Sequence, residues 1–218
     1  MATPSNLIES VARALGVPEA TVSSHYRALR EAGLVSKAGR GRGSAKMTTQ
    51  DAANLLIAVA GSSALKNAIE TVTEIVALPV VLTFGGKNPI FGKWTTVPIP
   101  LLQALPAKHT FGQVFAALIQ AAADGSLLEA RAHLPANKRF IEISFLSPGS
   151  NAMLRFFEES GKNLEGAQYS SIPYDKRSSQ NVDELKGHST TPKFYGDLTQ
   201  KRSFSENTII AVAELLRK

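Results

Sequence analysis

Residues 7–35 read LIESVARALGVPEATVSSHYRALREAGLV, and the placing of apolar side chains, glycine and proline in that stretch decides the N-terminal architecture. Leu7, Ile8, Val11, Ala12 and Leu15 recur at the period of about 3.6 that puts them on one face of a helix, with Asn6 or Ser5 as its cap. Gly16 ends that helix and Val17-Pro18 turns the corner. Glycine tolerates the left-handed cap, and proline suits the first turn of the next helix. A second helix is expected from Pro18 or Glu19 to Ala32, with Val22, Tyr26 and Leu29 as its inner stripe and Gly33 as its close.

Two helices joined by a three-to-four-residue turn have the geometry of a helix-turn-helix. Ala12, Gly16, Val17 and Val22 stand at the spacing found in such DNA-binding modules. The small Ala12 lets the helices approach, Gly16 makes the turn, and Val17 and Val22 lock the second helix on the first. The run Val22–Val35 resembles the recognition helix and first wing strand of bacterial winged-helix regulators of the MarR, ArsR and IclR kind. A Gly-Leu-Val triplet, here Gly33-Leu34-Val35, commonly leads from helix into wing in those families. The resemblance covers residues 5–47. It implies a module that reads duplex DNA, with the second helix in the major groove. Winged helices usually place another helix before this pair, and six residues cannot supply one. Thr48–Gly61 or a second subunit fills that place.

On the second helix, Thr21, Ser23, Ser24 and Arg27 lie away from the apolar stripe and face the groove, whose base edges are distinguishable by hydrogen bonding. Arg27 is the candidate for a base or phosphate contact, and Ser23 and Ser24 for phosphates. Arg30 either joins them or pairs with a local acid. His25 either touches DNA or covers the helix surface. Beyond Val35, the segment Ser36–Lys46 alternates glycine with Lys37, Arg40, Arg42 and Lys46. Its backbone can approach DNA while the cations reach phosphates or a narrow minor groove. Arginine-glycine segments also bind RNA, but the folded helix pair upstream favours duplex DNA.

Charge supports the same assignment. The chain carries a net charge of +6, and residues 1–50 hold seven basic against three acidic side chains, most of that excess in less than a quarter of the length. Such asymmetry fits either a polyanion-binding module or, for the charge run taken alone, a solvated basic loop. Across 218 residues, 44% hydrophobic and 19% charged side chains suffice for a core and exclude a disordered tail. No cysteine is present, which excludes a disulfide scaffold, a cysteine-ligated zinc site and thiol catalysis. Ala52–Leu65 is too short to span a bilayer before Lys66, Glu70 and Glu74, and Met1–Leu7 does not read as a signal peptide. A cytoplasmic protein, nucleoid-associated when bound to DNA, is expected.

Downstream, Thr48 or Thr49 caps a helix carrying Asp51 in its first turn, and Ala64–Ala77 forms another that Pro79 stops. Val80–Phe84 reads as a strand ending at Gly85-Gly86-Lys87, a turn lacking the other residues of a phosphate-binding loop. Pro98, Pro100 and Pro106 leave little room for regular structure. Thr110 and Gln113 cap a helix over Phe111–Ala123. Alternation predicts strands at Leu128–Leu134 and Phe140–Leu146, joined as a hairpin. Ala152–Ser160 fits a helix or a strand. Tyr169–Tyr174 suggests an edge strand, 175–192 a polar loop, and Ser203 with Glu206 a capping box before a final helix.

The expected fold is α+β: a winged helix-turn-helix at 1–61, a connecting or dimerising helix at 62–79, and a mixed oligomerisation or effector domain at 80–218 with an antiparallel hairpin. His109, His133 and His188 are scattered, Glu158-Glu159 reads as a surface run, and no cofactor motif, metal cluster or nucleophile elbow is visible. The sequence therefore points to a non-enzymatic transcriptional regulator, a repressor rather than an activator. It acts on double-stranded DNA as a homodimer, with a small-molecule or protein effector as a further partner. A phage- or plasmid-type DNA assembly protein and an enzyme targeted to nucleic acid are the alternatives.

Overall fold

Thr3, rather than Asn6 or Ser5, caps the first helix. Its hydroxyl accepts from the Asn6 N–H, and the Asn6 side chain reaches back in a capping box that starts α1 at Pro4–Leu15. Gly16, at φ 67°, closes it, and the Val17 N–H reaches the Ala12 carbonyl at 3.1 Å. Only glycine adopts that left-handed turn without strain. α2 (Glu19–Glu31) follows at once, with Val22 and Leu29 wholly buried. The computed structural model describes residues 2–37, 45–86, 90–132, 135, 138–147, 150–171 and 200–217.

α3 (Thr49–Gly61) packs against α1 and α2 and so supplies the third helix from downstream rather than from a second subunit. Every residue from Asp51 to Ala58 is buried, because α3 lies between this helix pair and the rest of the chain. The expected helix at 64–77 divides into a 3-10 turn (Leu65–Asn67) and α4 (Ala68–Ala77). β1 (Val80–Gly85) comes next, and α5 (Pro100–Gln103) forms one turn among the prolines. α6 (Phe111–Asp124) is the hub: its N-cap is the expected Thr110–Gln113 box, and it contacts α3, α4 and α5. Gly112 allows the approach to α4, since a Cβ there would lie 2.5 Å from Val76 Cγ1.

Leu128–Leu134 is not a strand. Ser126–Arg131 forms α7, with Leu127 and Ala130 buried three residues apart and Leu128 left 39% exposed. Arg131 is drawn onto Glu206, and these contacts outweigh the alternation; His133 and Leu134 lie outside the described residues. The hairpin exists with another partner: β2 (Ile141–Ser147) pairs antiparallel with β3 (Asn151–Phe157), so of Ala152–Ser160 the part up to Phe157 is strand and the last three residues lead into a turn. β4 (Asn163–Ser170) starts earlier than Tyr169, and β5 (Gln200–Ser205) leads directly into α8 (Glu206–Ala213). Ser203 is therefore in a strand and caps nothing, while Ser205 occupies the N-cap without a side-chain bond. The 175–192 loop lies outside the described residues.

The five strands form one antiparallel sheet in the order β1-β4-β3-β2-β5. Ile141, Ile143 and Phe145 of β2, Leu154 and Phe156 of β3, and Ala167 and Tyr169 of β4 are buried, at alternate positions on their strands. The ring of Phe111 stands edge-on to Phe145 at 5.7 Å and to Tyr169 at 5.3 Å, joining α6 to the sheet. α8 packs on both α1 and α6, and one apolar cluster runs from Ala2 to Ala213.

Buried carboxylates tie down the loops around this core. Glu165 accepts N–H groups of Thr95, Thr96 and Val97 at 2.7, 3.1 and 3.0 Å. Glu206 accepts those of Phe140 and Ile141 at 3.1 and 3.0 Å and pairs with Arg131. Burial pushes the Glu142 carboxyl up, but hydrogen bonds and charges from Lys201 and Arg155 outweigh it and hold it below the usual range.

Candidate nucleic-acid interface

α2 presents two chemically distinct sides. Val22, His25, Tyr26 and Leu29 face inward, whereas Thr21, Ser24, Arg27 and Arg30 are exposed and Ser23 is half-buried. Thus the structure brings Thr21, Ser23, Ser24, Arg27 and Arg30 onto the outer surface of one helix. Glu19 and Glu31 are exposed at its ends, so the surface is bounded by acids rather than uniformly basic. The Ser24 hydroxyl donates to the Ala20 carbonyl at 2.9 Å and must leave that bond to donate elsewhere.

His25 is an inward residue, 7% exposed. Its Nδ1 faces the Thr21 carbonyl at 2.8 Å; a carbonyl only accepts, so Nδ1 carries a proton. Nε2 lies 3.4 Å from the Ser62 hydroxyl at the end of α3. Arg202 of β5 donates to the Ser62 carbonyl, so the sheet reaches the second helix through one serine.

The arginines are unequally used. Arg13 pairs with Glu9, Arg131 with Glu206, and Arg139 and Arg155 with Glu142, while Arg202 and Arg217 donate to backbone carbonyls. Among the described arginines, Arg27 and Arg30 alone have no hydrogen-bond or ion-pair partner. For Arg30 that removes the local-acid reading within the described residues. The nearest acid influence is indirect: burial, then the charge of Asp51, pushes the Tyr26 hydroxyl up, and Arg30 opposes that shift.

After Gly33, at φ 76°, Leu34 and Val35 do not enter a strand; the chain bends there. Asn54 of α3 donates to the Leu34 carbonyl at 2.6 Å, and Val35 is buried. Lys37 and Lys46 are exposed at the two described ends of the basic segment, while Arg40 and Arg42 lie outside the described residues. Asp51 governs both ends. It accepts the Ser36 N–H and hydroxyl at 2.7 and 2.9 Å and the Thr48 N–H and hydroxyl at 2.8 Å each. The Thr48–Asp51 spacing signals a helix cap, but nothing local in the sequence signals the bonds to Ser36.

Residues 8–37 match the family model of the bacterial regulatory protein, arsR family. The N-terminal module is a helix-turn-helix of the DNA-binding regulator kind. The chain has no match among curated proteins or solved structures. The matched residues run from the second turn of α1 to Lys37, so they contain the whole exposed face of α2 and none of the sheet. A helix-turn-helix of this kind binds DNA through its second helix, the one that carries Arg27 and Arg30. Among the described residues no group of three or more histidine, acidic or cysteine side chains is placed to hold a metal, and no helix is long and apolar enough to cross a membrane.

Proposed function

We propose that this protein regulates transcription by binding a short duplex-DNA site as a homodimer, and that it represses by occupying that site. One observation carries the DNA surface: in a helix-turn-helix matched by a bacterial regulator family, the two arginines without protein partners among the described residues sit on the outer side of the second helix. Arg27 contacts base edges or phosphate, Thr21, Ser23 and Ser24 flank it, and Arg30, Lys37, Arg40, Arg42 and Lys46 neutralise phosphates.

One module reads only a half-site, and two-fold pairing doubles the contacts over a palindromic sequence. Leu65 and Ile69 support a pairing surface before and at the start of α4, being 44% and 42% exposed. The sheet and its helices serve as the oligomerisation or effector part.

Genomic-fragment selection with purified protein, followed by a salt titration and mass measurement on the recovered complex, tests this reading. One enriched two-fold motif bound by two chains, at roughly 10³-fold preference over random DNA, is the expected result. Salt-sensitive binding with no enriched motif would replace it with a DNA-assembly role. Absence of binding would overturn it.

A further inference from the structure

We infer that Asp51 is the positioning residue for Lys37 and Lys46, the two described lysines of the interface's basic segment. This inference rests on the DNA-binding reading above. A helix cap needs only Thr48, whose hydroxyl receives the Asp51 N–H at 3.2 Å. Asp51 does more, since two of its four accepted bonds come from Ser36, fifteen residues earlier in the chain. Its two oxygens therefore gather Ser36, where the basic segment begins, and Thr48, two residues past its end. Lys37 follows Ser36 directly, Lys46 precedes Thr48 by two residues, and both are exposed.

The neighbouring bonds act in the same direction. Met47 N–H donates to the Ala2 carbonyl at 3.1 Å, Asn54 holds Leu34, and Gln50 donates to Asn54 at 2.8 Å. The first two turns of α3 thus form a rigid base beneath Lys37 and Lys46, and α3 also packs on α2. The buried Asp51 carboxylate, receiving four hydrogen bonds, holds Ser36 and Thr48 in place before any DNA arrives. The two lysines then start from a fixed distance to α2, so their phosphate contacts register with those of Arg27 and Arg30.

The test is the salt dependence of binding to a mixed-sequence duplex about three helical turns long, long enough for two half-sites. Each phosphate contact contributes a slope of about −0.9 in log K against log salt. D51N removes a negative charge, so electrostatics alone would tighten binding and leave the slope unchanged or steeper. Positioning predicts the opposite: weaker binding and a slope flatter by up to about 1.8, two contacts' worth. S36A changes no charge and should flatten the slope in the same sense by less, while S36T, which keeps the hydroxyl, should restore it.

Melting curves and circular dichroism confirm that each variant is folded at the assay temperature. S36A retains three of the four accepted bonds and so guards against D51N failing to fold. Wild-type slope and affinity in folded S36A and D51N would overturn the assignment. Failure of wild-type protein to bind the duplex would instead overturn the functional reading beneath it.

Discussion

Arg27 stands on the outer side of α2 without a partner among the described residues. It sits one turn from Ser23 and Ser24 on an exposed surface, free of the ion pairs that occupy the arginines of the body. Arg27→Ala should leave the helical signal unchanged and weaken DNA binding. A phosphate contact would appear as a salt slope flatter by about 0.9; a base contact, as a specificity loss of about 1–3 kcal/mol at one position. At the opposite extreme stands His109, wholly buried, with Nδ1 donating to the Pro106 carbonyl at 2.9 Å and Nε2 receiving the Tyr169 hydroxyl at 2.7 Å. Burial holds its pKa below the ordinary 6.5. As pH falls past that value the unfolded chain takes up a proton before the folded one does. His109 therefore contributes stability above about pH 6.5 that is lost on the way down to its folded pKa. Melting temperature measured from pH 7.5 to about 5.5 should fall more steeply in the wild type than in His109→Gln.

Elements depend on how closely their neighbours can approach. α6 crosses α4 with Gly112 at the contact, and a Cβ there would meet Val76 Cγ1 at 2.5 Å and the Val76 carbonyl at 3.0 Å. Overpacking a well-filled core by one methyl costs about 1–3 kcal/mol. Gly112→Ala should lower the unfolding free energy by that amount even though alanine is the better helix former; an unchanged unfolding free energy would show that α4 yields freely. α7 shows the same dependence on neighbours from the other side. Its alternating residues suit a strand, yet Leu127 and Ala130 find the core only as a helix, and Arg131 finds Glu206.

On the scale of the whole molecule, the helix-turn-helix and the sheet share one apolar cluster. The last segment, β5 and α8, grips both: Arg202 holds the end of α3, and the Ser10 hydroxyl on α1 donates to the Ala211 carbonyl at 3.1 Å. A shared core predicts a single cooperative transition. Trp94, the one tryptophan, is 3% exposed against Phe156 in the body and reports that part alone. Its fluorescence and the far-ultraviolet circular dichroism of the whole chain should melt together. Two separated midpoints would mean that the N-terminal module unfolds independently.

Local chemistry determined the helix-turn-helix by itself. Gly16, Val17-Pro18, Gly33 and the apolar period of residues 7–29 act over one or two turns, so the second helix and its outer residues Thr21, Ser24, Arg27 and Arg30 were legible from the order of amino acids alone. The α6 cap and the β1 and β2 strands were legible for the same reason, because capping and alternation are short-range signals. Tertiary structure alone decided that α3 supplies the third helix, that His25 turns inward, that Leu128–Arg131 is helical and that β2 pairs with β3 on one side and β5 on the other. It also decided that Asp51 reaches back to Ser36. A carboxylate in the first turn of a helix looks the same in sequence whether it caps that helix or holds a distant segment. Only the packing of α3 under Leu34 and Val35 brings the second set of donors within hydrogen-bond distance.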